Sequence, residues 1–283
     1  MHFQPTEDQR ALRTGVRELL EARFGREALR ASGARLDRAL WRELGDAGFF
    51  ALRLPESQGG VGLGLPEAVL AFEEAGRVLL PGPLVATHLA AGTVAGAATG
   101  ESVVTRVDGG LVAWLEEADV VLGDAADAVP VRSVDPLTPL HRVASVERPG
   151  PEAVLLTAAE QLGSAARTTE LAVRYAKERE QFGRPIGGFQ AVKHLCAQML
   201  VRTELARAAV YAAAVTGDPV ETAGAKLLAD EAAVQGARDC LQVYGGMGFT
   251  WEADVHLHLK RAWVRAELGQ PAAQAEEVLA AAL

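Results

Sequence analysis

Over most of the chain, apolar residues recur every three or four positions, the period of helices packed on one face. Thr6 and Gln9 have the spacing of a reciprocal helix cap, and Leu12, Val16, Leu19, Leu20 and Phe24 follow on one stripe. Asp37 predicts a second start, for a helix carrying Leu40, Trp41 and Leu44 and ending near Gly45. Pro66 suits the first turn of another helix, and a further one is predicted over 83–98. Between 101 and 150 the texture changes. VVTRV and LVAWL flank Asp108-Gly109-Gly110, a hairpin signal, and ADVVLG and VPVRSV are further short strand candidates. Pro130, Pro136 and Pro139 keep each strand short, so three to five strands are expected. From Pro151 the helical period returns, predicting long helices over 151–180, 189–216 and 220–244 and a shorter one over 253–267. Short connections between long amphipathic helices imply an antiparallel bundle.

The join between the first two of these long helices concentrates candidate chemistry. In RYAKEREQFGRPIGGFQAVKHLCAQ, a helical approach through Leu171, Tyr175 and Glu178 breaks at Gly183, Pro185, Gly187 and Gly188. At the elbow stand a guanidinium (Arg179), an aromatic ring (Phe182) and an amide (Gln190). That set suits a flat, phosphate-linked ligand: charge for phosphate, a face for stacking, an amide for orientation. The same residues also suit an ordinary helix turn.

Composition narrows the function classes. The chain has 283 residues, 49% of them hydrophobic, enough for a full core in one or two domains. A net charge of −9, with cations dispersed along helices, argues against nucleic-acid binding, which needs a basic footprint. Only two cysteines occur, Cys196 and Cys240, both within helical patterns, so a disulfide framework is not expected. The polar start MHFQPTEDQR has no signal-like apolar core, and no apolar run reaches membrane-spanning length. A soluble cytoplasmic protein without membrane insertion is the expectation. His256 and His258, two apart on a helix, point to different faces and make a poor shared metal site. No metal site is expected, and no nucleophile elbow or phosphate-loop lysine motif is present. Trp251-Glu252 is expected to brace the turn before the last long helix.

The run EREQFGRPIGGFQAVKH resembles the start of the C-terminal helical domain of acyl-CoA dehydrogenases. LQVYGGMGFTWEADVHLHLKRA, from Leu241 to Ala262, resembles that family's later signature, and LWRELGDAGFFALRLPESQGG its N-terminal helical domain. The resemblance implies a mainly α fold with a small β insert: an N-terminal helical domain (1–100), a reduced β domain (101–150) and a C-terminal antiparallel four-helix bundle (151–283). It also implies FAD as cofactor and α,β-dehydrogenation of an acyl-CoA. By resemblance, Arg179, Phe182 and Gln190 match positions that contact the pyrophosphate and adenosine of FAD. Gln242, Val243, Gly245 and Gly246 match the later FAD-contacting run. Glycines without a β carbon let backbone approach a phosphate or ribose closely. Read alone, Gly245-Gly246 is also an ordinary helix cap. In the family these residues reach across a subunit interface into FAD held mainly by a neighbour.

The remaining family machinery is not evident. The motifs that grip the flavin ring, resembling T-E-P-x-A-G-S-D and W-I-T, do not occur, and the β region is short. The family's glutamate base would fall near Gly269; Glu267 lies two residues off the pattern. Some relatives place the base near the start of the first C-terminal helix, where Glu152 lies, with Glu160 further along. None of the three is singled out, and the catalytic residue stays unassigned. The resemblance therefore implies one subunit of a split enzyme, like the actinobacterial α2β2 steroid-CoA dehydrogenases, whose longer partner supplies the ring pocket and base. The short insert leaves room for a bulky acyl group such as a steroid, and an electron-transferring flavoprotein is the family's usual acceptor. A self-sufficient homomeric enzyme with an unconventional glutamate base, and a flavin-free scaffold, are the alternatives.

Overall fold

In the computed structural model, which describes residues 5–33 and 35–283, the first helix begins on the expected reciprocal cap. The Gln9 N–H donates to the Thr6 hydroxyl and the Thr6 N–H to the Gln9 side chain, opening α1 (Glu7–Arg23). A short α2 (Arg26–Ser32) follows, then α3 (Arg38–Asp46), whose Asp37 carboxylate accepts from the N–H groups of Ala39 and Leu40. The next helix, α4 (Leu65–Arg77), carries Pro66 in its first turn, where the missing N–H costs nothing. The helix expected over 83–98 is shorter: α5 spans Leu84–Ala90, and the chain then turns repeatedly to Gly100. Gly96 and Gly100 adopt φ of +78° and +71°, left-handed backbone that a right-handed helix cannot contain.

Five strands form the β insert: β1 (Val104–Asp108), β2 (Leu111–Ala113), β3 (Val120–Leu122), β4 (Val129–Val131) and β5 (Leu140–Arg142). Their order is β3-β1-β2-β5-β4, with β1 and β3 parallel and the other neighbours antiparallel. Asp108 pairs with Leu111 across the expected two-residue turn, and both Gly109 and Gly110 have positive φ. Pro130 lies in β4 at the sheet edge, the position where a residue lacking an N–H is tolerated.

Helices α6 (Pro151–Glu178), α7 (Gln190–Thr216), α8 (Pro219–Tyr244) and α9 (Val255–Glu267) build the bundle. A terminal helix, α10 (Ala272–Ala281), was not anticipated; it starts after Pro271 and packs on α8. One apolar core runs from Trp41, Phe50 and Phe72 through Leu155, Leu156 and Leu162 to Val210 and Ala229, so the N-terminal helices and the bundle share an interior. Helices α4 and α6 touch along their backbones at two glycines. A β carbon on Gly76 would lie 2.0 Å from the Glu160 carbonyl oxygen, and one on Gly163 1.9 Å from that of Glu73. No helix among the described residues is long and apolar enough to cross a membrane.

Candidate functional site

The break between α6 and α7 is more ordered than a glycine-rich turn requires. Glu180–Gln181 (β6) and Arg184–Pro185 (β7) pair as a minimal hairpin whose two loop residues are Phe182 and Gly183, with φ of +55° and +78°. Positive φ at both positions is the type I′ form of a two-residue hairpin loop, which an aromatic residue adopts only at a cost of roughly 1–2 kcal/mol. The strain holds the Phe182 ring out in solvent, 90% exposed, edge-on to Phe189 at 6.0 Å between centroids. Arg184 stacks over Phe189 at 4.3 Å. Arg179 caps α6, and its carbonyl accepts the Ile186 N–H at 2.8 Å, closing the elbow. Its side chain and those of Gln190 and Gln242 are exposed and have no intramolecular hydrogen-bond or ion-pair partner among the described residues.

The structure brings this elbow to the C-terminus of α8. Tyr175, Ile186, Val192 and Leu195 pack with Val243 and Tyr244 around Leu171, Ala176, Met199 and Leu241. The rings of Tyr175 and Tyr244 stack with centroids 4.0 Å apart and planes at 15°. Gly245 caps α8 with φ of +60°, and neither Gly245 nor Gly246 has any other group within 4 Å of where a β carbon would be. The space before this run is open, as close approach of a ligand to backbone requires. Val243 differs from its companions: it is buried, so its side chain belongs to the core. Beyond the glycines, Arg26 donates to the Glu252 carbonyl, and Arg26 and Arg30 pair with Asp254 at 2.8 and 3.0 Å. Trp251, expected as a brace, is 65% exposed; its ring lies edge-to-face with that of His256, and the Lys260 ammonium sits over it.

A second region, between the sheet and the bundle, offers little room. A cavity of only about 100 Å³ lies among Pro83, Arg106, Trp114, Thr157, Glu160, Arg261 and Arg265. Drug- or cofactor-sized groups occupy roughly 300–1,000 Å³. Its floor is paired charge. Arg265 donates to Glu160 at 2.6 Å; burial pushes the Glu160 carboxyl up, with Arg265 opposing, and burial brings Arg265 down to about 10. Arg261 bonds Asp135 and donates to the carbonyls of Leu79, Leu80 and Leu137. Burial alone would raise Asp135, but Arg261 and the Thr138 hydroxyl outweigh it and hold it low. A larger cavity, about 490 Å³, lies between α1, α4 and α6, and its Arg17, Glu74 and Arg77 side chains are likewise spent on one another.

The glutamate candidates fare poorly as bases. Gly269, at the expected base position, is buried, and its N–H donates to Asp108 at 2.6 Å. Glu267 is an exposed helix-end carboxylate. Glu152 receives two hydrogen bonds from Arg53, at 2.7 and 2.9 Å, and these hold its carboxyl below the usual range. Glu160 has the burial of a base, but its charge is committed to Arg265. His256 and His258 do face apart: His258 shares a 2.8 Å hydrogen bond with Ser164, while neither ring nitrogen of His256 has a partner. No group of three metal-ligating side chains occurs among the described residues.

A helical bundle behind a small sheet, with this elbow and this glycine run, defines an acyl-CoA dehydrogenase fold, and the comparisons agree. Residues 6–102 match the family's N-terminal domain and residues 153–281 its C-terminal domain. The chain belongs to the acyl-CoA dehydrogenase family, oxidoreductases acting on acyl-CoA. It is 38% identical to the acyl-CoA dehydrogenase IpdE2 of Mycobacterium tuberculosis, over 93% of each chain. It is 37% identical to the acyl-CoA dehydrogenase FadE34 of the same organism, over 80% of this chain but 39% of that longer one. The solved steroid ACAD Tcur3481-Tcur3483 superposes with a TM-score of 0.81 at 25% identity, over 97% of each chain.

Proposed function

We propose that this chain is the nucleotide-end subunit of a FAD-dependent acyl-CoA dehydrogenase that works as a heteromer. The observation that carries the reading is a contrast: the polar side chains of the elbow proposed for FAD's nucleotide end are exposed and unpartnered, while the cavity beside the sheet is small and the Glu160, Arg261 and Arg265 side chains that line it are paired. Arg179 would meet the pyrophosphate, Phe182 would offer its ring, and the amides of Gln190 and Gln242 would orient the adenosine. At Gly245 and Gly246, backbone would approach the ligand. At position 243 only the main chain could take part, since the Val243 side chain is core. When bound, the flavin supplies hydride acceptance; the residues here fit its tail and not its ring. The division into 1–100, 101–150 and 151–283 belongs to the same reading.

A longer acyl-CoA dehydrogenase subunit would then hold the ring and the base, most simply as an α2β2 assembly. FadE34, where a region like this chain is a minority of a longer polypeptide, supports the idea that such a region operates beside other sequence. The steroid ACAD Tcur3481-Tcur3483 supports a bulky acyl-CoA as substrate. An electron-transferring flavoprotein would be the acceptor, and the cytoplasm the setting. The test is to purify the chain alone and with a longer acyl-CoA dehydrogenase homologue from the same cells. Alone it should be colourless and inactive with acyl-CoA and an artificial acceptor; together they should be yellow and active. A yellow, active single chain overturns the proposal in favour of a homomeric enzyme.

A further inference from the structure

We infer that the stacked pair Tyr175–Tyr244 is a positioning element for the nucleotide-end site, holding its two halves in register. This rests on the reading that Arg179 and Gln242 hold that end. The two halves come from segments far apart in sequence, and the stack is where they meet. Tyr175 lies one helical turn before Arg179, and its carbonyl accepts the Arg179 N–H at 2.8 Å. Tyr244 is the last residue of α8, two after Gln242 and immediately before Gly245, whose N–H is bonded back to the Leu241 and Gln242 carbonyls. A shift of either ring therefore moves a proposed ligand group through no more than one turn of ordered backbone. The near-parallel geometry, 4.0 Å between centroids, leaves little freedom for sliding without losing contact.

Both rings are half-buried, so the stack forms the outer edge of the cluster that includes Ile186 of the elbow and Val243 of α8. Both rings line the cavity of about 490 Å³, whose lining includes neither Arg179 nor Gln242, so toward those two residues the pair acts through the backbone that carries it.

The test uses the heteromeric complex stripped of flavin and titrated with FAD, read by flavin fluorescence. Tyr175→Leu and Tyr244→Leu should each raise the FAD Kd about tenfold, whereas Tyr175→Phe and Tyr244→Phe, which keep the stack, should stay within about twofold. A merely structural role would lower the melting temperature and leave the Kd of the folded complex unchanged; that result overturns the inference, as does equal loss in the Phe and Leu variants. Arg179→Ala is titrated in parallel. If it weakens FAD while the Leu variants do not, the positioning inference alone falls. If Arg179→Ala binds FAD like the wild type, the nucleotide-end reading falls first.

Discussion

The two ends of the α6 helix face opposite physical situations. Near its N-terminal half, Glu160 is buried and paired with Arg265, beside Arg261 locked to Asp135, and the cavity above them is too small for a ring system. At its C-terminus, the Arg179, Gln190 and Gln242 side chains are exposed and unpartnered among the described residues, and Phe182 beside them is held out at a backbone cost. Buried charges are tolerated only when paired, and once paired they have nothing left for a ligand. Exposed polar groups on a strained, ordered turn are the opposite: their binding capacity is unspent. Under the proposed function, the region beside the sheet is structural in this chain and the elbow with the glycine run is the part left available to a nucleotide.

That contrast can be broken from either side. The largest effect is expected at the closed end. Asp135→Ala strands the buried Arg261 guanidinium and should cost about 3–5 kcal/mol in denaturant unfolding; a loss below 1 kcal/mol would mean that this floor is not fixed by the pair. Acid should act on the same interior. Burial, with Arg167 and Arg265 nearby, holds His258 down to about 3, against about 6.5 when unfolded. The unfolded chain then binds a proton that the native one refuses. Stability from this group is complete above about pH 6.5 and is lost as pH falls toward about 3, by up to about 1.4 kcal/mol per pH unit. His258→Gln, which can still bond Ser164, should flatten that slope in unfolding measurements; an unchanged slope would place the acid sensitivity elsewhere.

At the open end, Arg179→Ala should weaken FAD binding by the complex roughly tenfold to a hundredfold, the worth of a charge-assisted phosphate contact. Because the side chain is exposed, the melting temperature should hold. The smallest effect sharpens the assignment of chemistry to the partner. Glu152→Gln, Glu160→Gln and Glu267→Gln should each leave kcat of the assembled, folded complex within about threefold, where loss of a general base costs roughly 100-fold or more. A hundredfold loss at any of them would make that residue the base.

Much of the fold could be read from periodicity and punctuation. The Thr6–Gln9 cap, Asp37, Pro66, the Gly109-Gly110 turn and the long helices all obey local rules, and the structure follows them. Where local signals compete, the sequence misleads: glycines at 92, 96 and 100 end α5 early, and alanine-rich α10 carries too little pattern to stand out after Pro271. The proposed site residues come from family resemblance, not from geometry. What periodicity could not supply was pairing across distance. Nothing local announces that Tyr175 stacks on Tyr244, that Glu160 is neutralised by a residue 105 positions away, or that Val243 turns inward among exposed neighbours. Phe182 in a left-handed turn was equally hidden, since QFGR reads as a glycine break until its two short strands are seen to pair.

The decisive measurement is native mass spectrometry of the complex formed with the longer subunit, counting flavins against chains. One FAD for each pair of unlike chains is expected, because the proposal gives this chain the tail of the cofactor and its partner the ring. One FAD for every chain, or FAD retained by this chain after the partner is removed, would contradict the sharing on which the functional assignment stands.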